Sequence, residues 1–464
     1  MIPVSCGDIA TAVGGELVGA DPAAVVDGVV AKDSREVVPG GLFVALPGER
    51  ADGHDFVPAV TEAGVTVSLT TRPIDGCPCV VVPDTQVALG ELARYVVAQL
   101  PDLTVIGLTG SQGKTSTKDL IAQLVAPYGP TVAPVGSFNN EIGHPLTALQ
   151  ADRTTRFLVA EMGARHVGDI NYLCRITPPT VGLVLNVGHS HIGEFGSQDA
   201  IAQAKGEMIE NVVAGGTAVL NADDPRVAAM ASRTEQTVRR FGEAPEADVR
   251  ATDVKLDENG RPSFTLHADG QSFAVRLQLI GEHQVPNALA ATAAVLAAGL
   301  TPEQAAAGLN EATTMSKWRM EVTERADGVT VINDAYNANP DSMRAALKAL
   351  VAIGRARGAR TWAVLGPMGE LGDTSTEEHD GVGRLAVRLD VNRLVAVGED
   401  ARPIHLGASL EGSWGNESAY VATADEALEL LGKELQRGDV VLVKASRYVG
   451  LDRLATALLQ EGAQ

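Results

Sequence analysis

Thr109-Gly110-Ser111-Gln112-Gly113-Lys114-Thr115-Ser116 is a run whose residue types suit one task, holding phosphates. It follows an apolar stretch, residues 103–108, that reads as a buried strand, and it leads into a helix-like stretch, residues 116–125. Glycines let backbone N–H groups approach an anion, and a helix N-terminus adds partial positive charge. Lys114 adds a full charge, and the Thr115 hydroxyl suits Mg²⁺. This chemistry predicts an enzyme that uses a nucleoside triphosphate. The general phosphate-loop pattern has glycine five residues before Gly113, where this chain has Leu108, so only the shorter form is present.

Other polar residues fall where strands should end, and parallel sheets bind ligands there. Glu161, in Glu161-Met162-Gly163, ends the strand predicted over residues 157–160. A carboxylate beside a phosphate loop suits Mg²⁺, and a capping or salt-bridge glutamate is the alternative. Residues 186–197 hold His189 and His191 in a glycine-rich loop, either as metal or phosphate contacts or as surface residues. Lysine is scarce, nine against twenty-eight arginines, and Lys114, Lys118, Lys205 and Lys444 lie at candidate sites. Taken alone, Lys205 reads as a solvated helix lysine. Asn333-Asp334-Ala335-Tyr336-Asn337-Ala338-Asn339-Pro340 follows a strand; Asp334 suits ribose hydroxyls, and a capped loop is the alternative.

Three units must position these residues. Residues 1–85 alternate short strands (42–46, 65–69, 80–82) with helical stretches such as 56–63. Residues 86–313 repeat strand then helix, with strands at 157–160, 181–185 and 218–220, which means a parallel sheet covered on both faces. Within it, residues 247–279 alternate polar and apolar around Asn259-Gly260 and read as inserted antiparallel hairpins. An alanine-rich helix spans 287–298. Residues 314–464 carry strands at 329–332, 362–365, 394–397 and 440–443, a second doubly wound unit. The expected fold class is α/β: a central doubly wound parallel sheet with a phosphate loop, and a C-terminal Rossmann-like unit. That last unit lacks Gly-x-Gly-x-x-Gly, which argues against a dinucleotide role.

Composition excludes several classes. Lys+Arg 37 against Asp+Glu 58 gives a net charge of −21, the opposite of a nucleic-acid or anionic-membrane footprint. There is no apolar run of about eighteen residues, so no membrane span is expected. Residues 1–10 include Asp8 and no basic region, unlike a signal peptide. Cys6, Cys77, Cys79 and Cys174 are too scattered for a disulfide framework and read as free thiols in a reducing cytosol.

In chain order, the motifs resemble the Mur ligase family of peptidoglycan synthesis over nearly the whole sequence. The matching pieces are Asp33-Ser34-Arg35, Gly53-His54-Asp55-Phe56, the phosphate loop, Phe138-Asn139-Asn140-Glu141-Ile142-Gly143 and Glu161-Met162-Gly163. Residues 186–197, Ala204-Lys205-Gly206-Glu207, Asn287, Arg319-Met320-Glu321, Asp334 to Pro340, Gly366-Pro367-Met368-Gly369-Glu370-Leu371-Gly372 and Lys444-Ala445-Ser446-Arg447 follow. The short phosphate loop is the form this family uses. Two pieces depart from it: Ala445 where glycine is usual, and Pro367 where Gly-Asp-Met is commoner.

The resemblance implies a UDP-sugar-peptide unit (1–85), an ATP unit (86–313) and a C-terminal ligase unit (314–464). It implies an ATP-dependent amide ligase working through an acyl phosphate. The branch with Asn-Asn-Glu-Ile-Gly and Asp-Ala-Tyr-Asn-Ala-Asn-Pro implies UDP-N-acetylmuramoyl-tripeptide and D-alanyl-D-alanine as substrates; a sister Mur-type or folylpolyglutamate-type ligase is the alternative. By the family pattern, Thr109, Gly110, Ser111, Gln112, Gly113, Lys114 and Thr115 hold ATP. Asn287 meets adenine, Asp334 the ribose, and Arg319 the phosphates across the hinge. Thr115, Glu161, His191 and a carbamylated Lys205 take Mg²⁺, and Lys114, Glu161, His191 and Lys205 form the catalytic set. Ser34 and Arg35 hold the UDP-sugar end, and Asn139, Asn140, Asn337 and Asn339 contact substrate. A cytoplasmic monomer is implied. A nucleotide-binding regulator without ligase chemistry is the competing class.

Overall fold

The computed structural model describes residues 1–48, 51–188, 192–412, 415 and 417–461. Among these, three larger α/β sheets follow one another along the chain, and Val4–Ser5 pairs with Val25–Val26 in a small antiparallel sheet of its own. The first is built from Glu16–Val18, Cys79–Val81, Val67–Thr70, Leu42–Val44 and Val30–Ala31 in spatial order, parallel except for the Glu16–Val18 edge. That antiparallel edge strand was not foreseen, because its three residues are at most half-buried and show no apolar run.

The central sheet is the scaffold of the site. Its strand order is Gln271–Arg276, Pro262–Ala268, Val249–Leu256, Thr237–Gly242, Thr217–Asn221, Val181–Val184, Thr104–Thr109, Phe157–Glu161 and Thr131–Val132. Thr104–Thr109 thus lies between Phe157–Glu161 and Val181–Val184, parallel to both. Three strand ends converge there, so Thr109, Glu161 and the segment after Val184 share one edge. The hairpins over 249–276 continue this same sheet and do not form a separate lobe, because Val249–Leu256 pairs parallel to Thr237–Gly242 before the chain reverses.

Alternation along the strands divides the packing into two faces. Ile106 and Leu108 pack with Leu120, Leu124, Val285 and Leu289 from the helices Lys114–Val125 and Gln284–Ala297. Val105, Leu158 and Ala160 face the other way, against Ile201 and Met208 of the helix Gln198–Glu210. That second cluster runs on through Leu89 and Leu92 of the helix Thr85–Ala98 into the first unit.

The third sheet orders Glu321–Glu324, Thr330–Asn333, Val440–Lys444, Thr361–Leu365, Arg393–Val397 and Ser418–Val421. It is parallel apart from its first strand. Trp362 is fully buried and donates its indole N–H to Asp439 at 3.0 Å, satisfying the one polar atom its burial strands. The four cysteines are free and buried. No helix among the described residues is long and apolar enough to cross a membrane.

Candidate active site

A cleft of about 1330 Å³ opens where the central and C-terminal units meet, with Gln86 and Val87 at its N-terminal side. It is lined by Ser111 to Ser116 of the phosphate loop, Asn139, Asn140, Glu161, Asn287, Arg319, Asp334, Asn337 and Asn339, and not by Thr109, Gly110 or Lys205. The phosphate loop, Glu161 and Asp334, expected from residue type and position, and the asparagines and Arg319, expected from the resemblance, therefore share one cavity. Ser34 and Arg35 do not line it. Arg35 is 86% exposed and forks onto Asp33 at 2.9 and 2.5 Å, which holds the Asp33 carboxyl well below the usual carboxylate range.

The phosphate loop turns at Gly113, whose φ of 79° is in the left-handed region. A Cβ there would sit 2.4 Å from Asn287 Oδ1, so glycine is needed twice over, for conformation and for space. The helix Lys114–Val125 starts immediately after, and its first-turn N–H groups have no intrahelical acceptor. The loop's earlier donors are already used: Asn186 Oδ1 accepts from the Ser111 and Gln112 N–H groups, both at 3.0 Å. The Ser111 hydroxyl accepts from the Gly188 N–H at 2.8 Å. An anion here would meet Gly113, Lys114 and Thr115 ahead of Ser111 and Gln112.

Lys114 donates to the Gly110 carbonyl at 2.7 Å, folded back over the loop. Burial pushes its pKa down, the Glu161 carboxylate opposes that, and the Arg319 guanidinium adds to it. Thr115 is buried; its hydroxyl lies 3.1 Å from that of Ser137 and accepts from Arg319 at 2.9 Å. Arg319 also donates to Ser137 at 3.1 Å. Ser137 is a site residue that sequence reading missed, since a lone serine in a loop carries no signal.

Glu161 is 1% exposed. Its Oε1 accepts from Asn139 Nδ2 at 2.7 Å, and its Oε2 is buried with no hydrogen-bond partner. A desolvated, unpartnered carboxylate oxygen is costly and calls for a cation. That orphaned oxygen, with the Thr115 hydroxyl in the same cleft, fits a hard divalent ion. His189 and His191 lie outside the described residues. Among the described residues, no group of three or more His, Cys, Asp or Glu is arranged to hold a metal.

Lys205 is 3% exposed, which overturns its reading as a solvated lysine. It shares a helix face with Ile201, Met208 and Ile209, at spacings of three and four, so the apolar stripe carries it inward. Burial, then the nearby Lys114, pushes its pKa well below the ordinary lysine range. Glu207, two residues on, points elsewhere: its carboxylate accepts the Gly168 and Asn171 N–H groups at 2.6 and 2.9 Å and caps the helix Asp169–Ile176.

Asn287 lies in the helix Gln284–Ala297 and donates to Gln284 Oε1 at 3.0 Å. Asp334 accepts from Lys444 Nζ at 2.6 Å and from the Met320 N–H at 3.1 Å, leaving lone pairs for further donors. Asn140 Oδ1 accepts the Gly143 N–H at 2.9 Å, and Asn339 caps the helix Pro340–Arg357 through the Ser342 N–H at 2.8 Å. Asn337 Oδ1 accepts the Ala338 N–H at 2.9 Å. These three side-chain oxygens serve the backbone; their amide N–H groups remain the donors for a ligand.

Three family models match the chain: the Mur ligase family catalytic domain over residues 29–96, the Mur ligase middle domain over 108–295, and the Mur ligase glutamate ligase domain over 318–447. A relative from Mycobacterium bovis is 50% identical over 99% of this chain and 98% of its own, and is named UDP-N-acetylmuramoyl-tripeptide--D-alanyl-D-alanine ligase. A crystal structure of MurF from Acinetobacter baumannii superposes with a TM-score of 0.90 at 35% identity, over 99% of both chains. The MurF ligase of Thermotoga maritima in complex with ADP superposes at 0.82 and 28% identity, over 94% of this chain and 98% of that one. With the fold, the cleft and the relatives in agreement along its full length, the chain belongs to the Mur ligase family.

Proposed function

We infer that this chain is an ATP-dependent, ADP-forming amide ligase that joins D-alanyl-D-alanine to UDP-N-acetylmuramoyl-tripeptide, making the pentapeptide precursor of peptidoglycan. The observation that carries it is the orphaned Glu161 carboxylate oxygen in the same cleft as Lys114, Thr115 and Arg319. The 50% identity to a ligase so named supports the choice of substrates. The units are taken as 1–85 for the UDP-sugar peptide, 86–313 for ATP and 314–464 for the incoming amine.

The tripeptide carboxylate attacks the γ-phosphorus, the β–γ bridging bond breaks, and ADP leaves. The acyl phosphate is then attacked by the dipeptide amine, which loses a proton as phosphate departs from the tetrahedral carbon. Such transfers need charge neutralisation and positioning more than covalent help. Lys114 and Arg319 supply fixed positive charge at the phosphate loop. Asn287 and Asp334 hold the nucleoside, Asn139, Asn140, Asn337 and Asn339 hold substrate, and Ser34 and Arg35 contact the UDP-sugar end.

Thr115, Glu161, His191 and Lys205 would hold Mg²⁺, which supplies neutralisation of charge on the phosphates. Lys205 fits that set only as a carbamate, an oxygen-donor anion. Its environment favours the modification: a buried lysine with a depressed pKa exposes a neutral, nucleophilic amine to carbon dioxide. The protein is taken to act as a monomer in the cytoplasm, where ATP and UDP-linked precursors are found.

The test is Lys205→Ala. Turnover should fall at least 100-fold and return in part with added short-chain carboxylic acids, which replace the missing carboxylate. A variant with unchanged turnover would contradict the role given to Lys205.

A further inference from the structure

Arg447 follows the strand Val440–Lys444 and lines the cleft. Its guanidinium carbon lies 4.6 Å from the centre of the Trp318 ring and 5.2 Å from that of Tyr336. Tyr336 also carries Arg319 at 4.2 Å. A single ring therefore links the guanidinium that touches the phosphate loop to one that does not.

The other cations of the cleft have polar partners. Lys114 donates to Gly110, Arg165 to Glu370, Arg319 to Thr115 and Ser137, and Lys444 to Asp334. The Arg447 guanidinium makes no hydrogen bond or ion pair among the described residues, although the chain carries 58 acidic residues. Stacking on two aromatic rings fixes a guanidinium plane while leaving its N–H edge unused. The stack is itself held at a cost. Trp318 has φ of 59° and Met320 of 49°, left-handed conformations that bulky residues avoid. The Tyr336 N–H donates to the Trp318 carbonyl at 3.2 Å, tying the two rings' backbones together. Strain of this kind persists where surrounding structure enforces it, commonly at ligand clamps.

We propose that Arg447 is a specificity-determining residue that binds the terminal carboxylate of the incoming dipeptide. This rests on the amide-ligase function inferred above. The dipeptide reacts through its amine and carries its carboxylate at the far end, about 7 Å away when extended. A site that held only the amine would take any amine of similar size. A planar fork fixed on two rings matches a carboxylate in bidentate fashion. Lys114 and Arg319 already serve the phosphates, and Arg447 makes no hydrogen bond to the phosphate loop.

The experiment compares D-alanyl-D-alanine with its C-terminal amide as the incoming amine, followed by phosphate release in the intact protein, Arg447→Ala and Arg447→Lys. The unsubstituted protein should prefer the acid by at least tenfold in kcat/KM, the value of about 1.4 kcal/mol of differential binding. In Arg447→Ala the KM for the dipeptide should rise at least tenfold and the preference should fall to about one. The KM values for ATP and the UDP-tripeptide should move by less than about twofold, and Arg447→Lys should keep part of the preference. A preference that survives in Arg447→Ala overturns the proposal, as does a rise confined to the KM for ATP. The preference is a ratio within one preparation, so an inactive fraction does not alter it. If the unsubstituted protein releases no phosphate with either dipeptide, the ligase function itself falls and this proposal with it.

Discussion

The Arg319 guanidinium donates to the Thr115 hydroxyl at 2.9 Å, joining residues 204 positions apart in sequence. The linker that carries Arg319 is docked on the phosphate-loop helix itself. Gln123 exchanges hydrogen bonds with the backbone of Thr313 at 2.9 and 3.0 Å, and Asp119 accepts the Ser316 N–H at 3.2 Å. The linker and the phosphate-loop helix are therefore one structure.

Removing that arginine should cost transition-state charge stabilisation more than folding. Arg319→Ala is expected to lower kcat/KM by about 10²-fold or more. Arg319→Lys should recover little, since it loses both the planar fork and the stack on Tyr336. Steady-state kinetics with ATP varied, beside thermal melting, checks both; a lysine variant with near-normal turnover would sink the explanation.

Glu161 should show a trade of stability for activity. Its Oε2 is buried without a partner, and such an atom costs about 1–3 kcal/mol. Glu161→Gln keeps the shape and removes the buried charge. Turnover should fall at least 100-fold, while the melting temperature of the ligand-free protein holds or rises. A large drop in melting temperature would mean that Glu161 is structural.

Gly113→Ala should fail locally. A φ of 79° is unfavourable for alanine by about 1–2 kcal/mol, and its Cβ would press on Asn287 Oδ1. ADP affinity by calorimetry should fall at least tenfold, with a modest loss of stability. Unchanged ADP binding would contradict the tight turn.

Acid should destabilise the fold through two desolvated histidines, His144, which is buried, and His283, which is half-buried. Burial pushes His144 and His283 down to about 4, against about 6.5 in an unfolded chain. Between those values the unfolded chain binds more protons, so stability falls as pH drops from about 6.5 and the contribution is fully lost below about 4. The loss is on the order of 3 kcal/mol per histidine. Urea unfolding at pH 7, 5.5 and 4.5 should show it, and His144→Gln should flatten the slope. A pH-independent midpoint would count against burial of neutral imidazoles.

Much of the site was legible because strand ends converge. Thr109 and Glu161 close apolar runs that the central parallel sheet gathers at one edge, and Asp334 follows such a run in the third sheet, whose strand end faces the same cleft. The burial of Lys205 was also legible, in the spacing of Ile201, Lys205, Met208 and Ile209. It was overlooked because the helix as a whole is polar. Asn186 and its hold on Ser111 and Gln112 depend on strand neighbours that only the sheet order reveals. The stack of Trp318, Tyr336 and Arg447 had no sequence signal, since it brings together three segments through left-handed backbone that residue types do not announce.

The most direct test is phosphate release from ATP by purified protein with Mg²⁺, UDP-N-acetylmuramoyl-tripeptide and D-alanyl-D-alanine, each omitted in turn, with the product weighed by mass spectrometry. Release should require both co-substrates and yield the UDP-linked pentapeptide with one phosphate per amide formed. Release with the tripeptide but only with a different amine would contradict the dipeptide assignment, and no release under any combination would contradict the ligase function.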